Sequence, residues 1–485
     1  MSDYDVLIVG AGISGINAAY RLQSQFPNLR YAIVEARNNL GGTWDLFRYP
    51  GIRSDSDLFT FGFEWHPWDQ GNPIADGSAI VTYLNNAAEK YGIKKNILFE
   101  HRVLGADWTS ADHTWSLTVE HGGATKSLTA RFVVFGTGYY DYHTPLQADI
   151  PGIDQFEGTI IHPQFWPEDL DYSDKKVVII GSGATAITLL PKMAESAAHV
   201  TMLQRSPTYI LSLPNRRRTL LSYILPAAVN RKLQRLSWLL TSRFFFLFCQ
   251  SFPAVARFIL RLSVKRQLPR HLPHDPHFRP RYNPWDQRLC VCPDGDFFKS
   301  LHTGRADVKT DTIRTVTPTG IELNSGDVLD ADIIVTATGL RLQIAGGTSL
   351  SVDGVPLHIH EKFLWHGVML QDLPNAAFVI GYTNASWTLG ADATAQFICR
   401  LLRELDQRGV YAAVPRLAPA QAKSLQPRRL LNLNSTYVTK AEGHLPKAAN
   451  KGPWLPRDNY LDDIKFAKKG RIDEDMEFMG TKKLQ

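Results

Sequence analysis

The chain has 485 residues, room for roughly three domains of 150 residues each, with 44% hydrophobic residues, 21% charged residues and only four cysteines. That composition excludes a disulfide-stapled miniprotein, a disordered chain and a collagen-like one. The formal net charge of +6 hides an asymmetry, because Arg205 to Arg281 holds fifteen Lys or Arg against one acid, Asp275. Such a surplus suits an anionic partner, a lipid headgroup or a phosphate, or else a solvated face; no nucleic-acid partner is expected.

The N-terminus, Met-Ser-Asp-Tyr-Asp, runs straight into apolar residues with no basic leader or cleavage site, so a cytoplasmic protein is expected. Asp5 to Val9 reads as a buried strand, and Gly10-Ala-Gly12-Ile-Ser14-Gly15 then opens a helical pattern through Ala18, Ala19 and Leu22. A second apolar run, Tyr31 to Val34, ends in Glu35, twenty residues past Gly15, where a carboxylate can accept hydrogen bonds from a ribose. Glycine is needed because a pyrophosphate must approach bare backbone amides at a helix N-terminus. A further strand run, Arg131 to Phe135, ends in the small residues Gly136-Thr-Gly138.

The pattern returns with Lys176 to Ile180, the turn Gly181-Ser182-Gly183-Ala184-Thr185-Ala186, and the strand Val200 to Gln204, but this copy ends in Arg205. A carboxylate there would repel a 2′-phosphate, whereas an arginine can bind one bidentately. The first turn, with Ser14 and Glu35, therefore predicts FAD; the second, with Arg205 and Ser206, predicts NADPH. Between Pro207 and Pro280 strand signals stop. Leu233, Leu236, Leu240, Phe244 and Leu247 recur at helical spacing, and Arg257, Arg261 and Lys265 form a basic stripe. The window Leu236 to Phe252, broken by Arg243, is too short and too charged to span a bilayer, but contact with a membrane surface through the basic insertion is one reading. Cys249, Cys290, Cys292 and Cys399 form no C-x-x-C or zinc spacing, so reduced thiols and no metal site are expected. Asp332 to Thr336 before Ala337-Thr-Gly339 mirrors the earlier strand ending in small residues. Together these elements predict an α/β fold of two Rossmann-like dinucleotide-binding domains. A discontinuous FAD domain, 1–145 and 336–485, encloses an NADPH domain, 146–335, that carries a helical insertion at about 207–280.

The linker Phe156-Glu-Gly158-Thr-Ile-Ile-His162-Pro-Gln-Phe-Trp166-Pro167 matches F-x-G-x-x-x-H-x-x-x-W-P, and the chain thereby resembles the type I Baeyer–Villiger monooxygenases. Related N- and S-oxygenating flavoproteins carry Tyr or Phe where this chain has Trp166. Gly41-Gly42-Thr43-Trp44 through Tyr49-Pro50-Gly51 to Asp55 is similar to that family's other signature. The segments Tyr282 to Cys290 and Gly381 to Leu389 look most like the ethionamide-activating subgroup. The resemblance implies that Gly42, Thr43, Trp44, Asp55 and Trp387 lie along the flavin, that Arg288 is the active-site arginine with Asp55 as its carboxylate partner, and that His162 and Trp166 couple the domains. It also implies a C4a-peroxyflavin anion, stabilised by a fixed guanidinium, that inserts one oxygen atom of O₂ beside a ketone carbonyl. Thioethers would be further substrates. Without the resemblance, Asp55 and Arg288 would read as a structural ion pair and His162 as a packed linker histidine. The chain departs from the family at Gln287, where a lysine is common, which puts more weight on Arg205 and Ser206. The rival enzyme readings are a mainly sulfur- or nitrogen-oxygenating flavoprotein and a disulfide reductase, the latter lacking a cysteine pair near the flavin. A noncatalytic nucleotide-binding protein at a membrane surface is the rival from another class.

Overall fold

The computed structural model describes residues 2–215 and 225–481; residues 216–224 of the expected insertion lie outside the described residues. Tyr4–Val9 pairs in parallel with Tyr31–Val34 on one side and with the long strand Ala124–Phe135 on the other. Val6 to Val9 are buried in succession because a separate apolar cluster covers each face of the sheet. The first half of Ala124–Phe135 joins an antiparallel meander, where Trp115, Leu117 and Val119 of Thr114–His121 alternate inward. The late strands Ser349–Val352 and Ala376–Phe378 rejoin this sheet, against Arg102–Thr109 and Ala124–Phe135. The helices Ile13–Gln25 and Trp387–Gln407 share its main core, tied also by an Arg21–Asp392 ion pair at 2.7 Å.

A second sheet is parallel throughout, in the order Ala306–Thr310, His199–Gln204, Lys176–Ile180, Ile333–Thr336, Thr159–Ile161. Its edge strand Thr159–Ile161 comes from the linker that carries His162 and Trp166, and separate apolar clusters cover its two faces. The fold is therefore the expected α/β pair of Rossmann-like units with a helical insertion.

One strand contradicts the expectation that strands stop at Pro207. Ile210–Leu213 pairs in parallel with Cys290–Pro293, so strand structure continues past Pro207. Only Ile210 of the four is fully buried, and its partner lies about eighty residues on, so no local pattern marks it. The insertion's helices, Ala227–Ser251 and Pro253–Lys265, meet at 114°. Pro253 opens the second, where its fixed φ and missing N–H are tolerated. No single helix among the described residues is long and apolar enough to cross a membrane.

Why both third strands end in small residues becomes plain in the packing. Gly10 has φ +98°, and a Cβ there would sit 2.9 Å from the Gly136 carbonyl oxygen; Gly181 has φ +140°, and its Cβ would sit 2.2 Å from the Ala337 carbonyl oxygen. Each turn thus presses bare backbone against the end of a neighbouring strand. Gly181→Ala combines left-handed strain with that collision and should destabilise the protein by more than about 2 kcal/mol. Thermal unfolding followed by flavin fluorescence checks this; an unchanged Tm would mean that the close approach is not required.

Candidate active site

The first turn leads from the strand Tyr4–Val9 into the helix Ile13–Gln25, and Glu35 closes it from the end of the next strand. The Glu35 carboxylate accepts from the amides of Ala11 at 2.7 Å and Arg37 at 3.0 Å. Burial raises its pKa, with the Ala11 and Arg37 amides and the Arg37 charge opposing. Each oxygen keeps a lone pair for a ribose hydroxyl. Gly12 and Gly42 bring bare backbone together, since a Cβ on Gly42 would lie 3.1 Å from the Gly12 Cα. Trp387 donates from its indole to Ser14 Oγ at 2.9 Å and stacks on Tyr139, while Thr43 bonds Tyr142 at 3.0 Å. Bare backbone, a buried carboxylate with spare acceptors and stacked aromatics fit an FAD.

At the second turn, Ser182 Oγ donates to the Ser206 carbonyl at 2.9 Å, which draws Ser206 and the exposed Arg205 to the glycine turn. A Cβ on Gly183 would meet nothing within 4 Å, so the space over this turn is open. That geometry suits a second nucleotide. Gln287 lies elsewhere, donating to the Asn434 carbonyl at 3.5 Å.

Two cavities meet at one wall. The first, about 240 Å³, is lined by Gly12, Ser14, Thr43, Trp44 and Trp387 of the flavin side and by Ala184 and Thr185 of the second turn. The second, about 370 Å³, is mostly apolar and includes Trp238, Phe245, Leu289 and Leu389. Asp55 and Arg288 line both. Among the described residues no N···O contact within 4 Å joins them, so they interact by charge across the wall rather than as a bonded pair. Arg288 donates to the Tyr382 carbonyl at 3.4 Å. It is accessible through the cavities, yet deep enough for burial to weigh against its charge. The hydroxyls of Tyr139, Tyr437 and Tyr140, with Asp55, outweigh that and hold it above the ordinary arginine value. Burial pushes Asp55 up to about 6, against the opposing charges of Arg288 and Arg53.

His162 caps the short turn Pro163–Phe165, its Nδ1 accepting from the Gln164 amide at 3.2 Å, and burial lowers its pKa. Trp166 packs into the core of the second sheet. Neither lines the cavities, although Pro163 and Gln164 between them do. Several lining residues escaped the sequence analysis. Tyr49 and Arg53 sit inside the Gly41 to Asp55 run, and Arg53 is ion-paired with Asp296. Tyr139 and Tyr140, bonded to each other at 2.8 Å, directly follow Gly138, so the run of small residues was the available signal. Within the family-like segment Gly381 to Leu389, Asn384 lines the apolar cavity, and Tyr382 reaches Arg288 through its carbonyl.

A family model described as flavin-binding monooxygenase-like matches residues 4–380. The chain is 47% identical over 475 residues to an FAD-containing monooxygenase EthA of Mycolicibacterium smegmatis, covering 97% of this chain and 96% of that one. It is 48% identical over 474 residues to a probable FAD-binding monooxygenase AlmA of Acinetobacter baylyi, with 97% and 95% covered. The fold is also that of solved Baeyer–Villiger-type structures. An OTEMO complex with FAD and NADP matches with a TM-score of 0.76 at 20% identity, over 99% of this chain and 100% of that one. Closed cyclohexanone monooxygenase matches at 0.75 and 18%, over 99% of each. Fold and site thus define a flavin-dependent, NADPH-using monooxygenase with FAD as its cofactor. The chain belongs to the flavin-binding monooxygenase-like family, which removes the noncatalytic reading.

The raised pKa of Asp55 has a definite sign. The fold favours the protonated acid, so without ligands this group's contribution to stability grows as pH falls from about 6 towards the ordinary value of 3.8. As the carboxylate partner that the family resemblance implies for Arg288, Asp55 would act in its ionised form. Turnover should therefore fall as pH drops through about 6, and Asp55→Asn should be slow at every pH and lose that limb. A pH profile of NADPH-dependent product formation for both proteins checks this.

Proposed function

We propose that the enzyme is a Baeyer–Villiger monooxygenase: it inserts one oxygen atom of O₂ beside a ketone carbonyl to give an ester or lactone, while the other leaves as water. The observation that carries this reading is the shared wall, where Asp55 and Arg288 face both the cavity joining the two nucleotide turns and the apolar cavity. FAD, when bound and reduced by NADPH, supplies the oxygen-activating chemistry. Arg288 brings a permanent positive charge, beside a mostly apolar cavity, to the place where negative charge grows on oxygen during carbonyl attack. Asp55, charged above about pH 6, sets the field and orientation of the guanidinium. Trp238, Phe245, Leu289 and Leu389 exclude water and give the substrate an apolar berth.

The remaining roles follow. Gly10, Gly12, Ser14, Gly15, Glu35, Gly42, Thr43, Trp44 and Trp387 hold the flavin nucleotide; Gly181 to Thr185, Arg205 and Ser206 hold NADPH. The position of His162 and Trp166 between an edge strand and a cavity lining supports a coupling of NADPH binding to the relative placement of the two units. Trp166, in the form that marks the Baeyer–Villiger branch, favours ketones as the main substrates. The same site can oxygenate a thioether, and a mainly sulfur- or nitrogen-oxygenating enzyme is the second reading, motivated by relatives named only as FAD-containing monooxygenases. Peripheral contact with a membrane surface through the basic insertion belongs to the same proposal.

Arg205→Ala should raise the Kd for NADPH about 10- to 150-fold and leave NADH nearly unaffected, the range expected for one charge-assisted bond to a 2′-phosphate. Titration of the FAD-loaded protein with both nucleotides measures it, and equal losses would refute the assignment. Arg288→Ala should retain FAD, oxidise some NADPH and release hydrogen peroxide, while product formation falls by about 10²–10³-fold. Product analysis alongside NADPH consumption separates these steps; a near-normal ester yield would move the charge-stabilising role away from Arg288.

A further inference from the structure

The insertion is built the wrong way round for water. Leu233, Leu236, Leu240, Phe244 and Leu247 lie along one side of Ala227–Ser251 and all are exposed, Phe244 by 72%. Phe252, Val255, Phe258, Ile259 and Leu262 continue the exposed apolar surface on the second helix, with Phe258 at 66%. Two arginines of the first helix point inward instead. Arg235 donates to the carbonyls of Phe59 at 2.7 Å and Gly62 at 2.9 Å, and Arg243 donates to that of Asp458 at 3.4 Å. A helix resting on a water-exposed protein surface normally shows the opposite arrangement. Of the nineteen exposed large hydrophobic residues among the described ones, eleven fall between Val229 and Leu262.

We infer that this face docks on an anionic lipid bilayer and that the apolar cavity takes its substrate from there. The charge pattern selects the occupant. From Val229 to Arg270 the chain carries nine Lys or Arg and no Asp or Glu, and Lys232, Arg257, Arg261, Lys265, Arg266 and Arg270 are exposed beside the apolar surface. A second copy meeting the same face would set these cations against their own kind, whereas acidic headgroups with acyl chains beneath match both the charge and the apolar surface. Neither helix can span the bilayer alone; only together are they long and apolar enough, and the 114° bend between them, with exposed cations along the second helix, suits the interface rather than a straight crossing.

Geometry extends this to the substrate. Leu240, Phe244 and Leu247 of the exposed stripe line the same 370 Å³ cavity as Asp55 and Arg288. A ketone or thioether dissolved among acyl chains can thus reach the wall without crossing bulk water. This step rests on the assignment of Arg288 to oxygen transfer, and the substrate class it selects is apolar molecules that partition into lipid.

The test uses FAD-loaded holoenzyme and vesicles of phosphatidylcholine with or without phosphatidylglycerol. Cosedimentation should favour the acidic vesicles and weaken with salt as the Debye length shrinks from about 10 Å at 0.1 M to 3 Å at 1 M. The double variant Phe258→Asp/Ile259→Asp should bind at least about 100-fold more weakly, having lost two inserted side chains. It should keep its flavin and turn over a short, water-soluble substrate normally, yet act at least about tenfold more slowly on a long-chain ketone or thioether supplied within acidic vesicles. Absent or salt-insensitive binding overturns the docking, as does a wild-type dimer that the double variant dissociates, which would assign the face to a second copy. Docking without faster use of the vesicle-held substrate overturns the route. Failure of the Arg288 assignment shows separately, as equal rates for wild type and Arg288→Ala on the soluble substrate.

Discussion

A guanidinium facing an apolar cavity is unfavourable to hold in place, and much of the site is organised around that constraint. Arg288 is accommodated by a carbonyl from Tyr382 and by electrostatic interaction with Tyr139, Tyr437, Tyr140 and, across the wall, Asp55. Asp55 in turn sits between two cations, Arg288 and Arg53, and Arg53 is itself tied to Asp296. Because Asp55 and Arg288 are not bonded to each other, each side chain stays open to what occupies the cavities. A closed ion pair would neutralise the field of Arg288 on its partner; the separated arrangement leaves that field open to what occupies the cavities.

Placing those two residues together requires both nucleotide-binding units. Asp55 belongs to the segment after the first unit's second strand, whereas Arg288 precedes the strand Cys290–Pro293, beyond the insertion of the second. Their meeting depends on how closely each glycine turn packs against its own sheet, as at Gly10 on Gly136 and Gly181 on Ala337. The linker from Phe156 to Pro167 contributes an edge strand and a buried tryptophan to the second sheet.

Local chemistry was legible in the sequence, and distant contact was not. The two glycine turns, Glu35 and Arg205 announce themselves because strand, turn, helix and terminal residue follow one another within about thirty positions. Asp55 and Arg288 are 233 residues apart, and only the likeness to a known family joined them in advance. Even then their separation across a wall, rather than direct pairing, needed coordinates. The strand Ile210–Leu213 was missed because its partner lies far along the chain. Helical periodicity exposed the stripe from Leu233 to Leu247 but could not tell which side faces solvent; Arg235, turned inward onto backbone carbonyls, decides that.

In the proposed reaction, oxygen passes to a carbonyl at the wall formed by Asp55 and Arg288. Turnover of a ketone by the wild-type holoenzyme under isotopically labelled dioxygen, with mass analysis of the product and a parallel count of NADPH consumed, tests it most directly. The expected product is an ester or lactone carrying a single labelled oxygen for each NADPH oxidised. NADPH consumption that yields only peroxide with linear, cyclic and aryl ketones alike, alongside efficient labelling of a thioether as its sulfoxide, would contradict it.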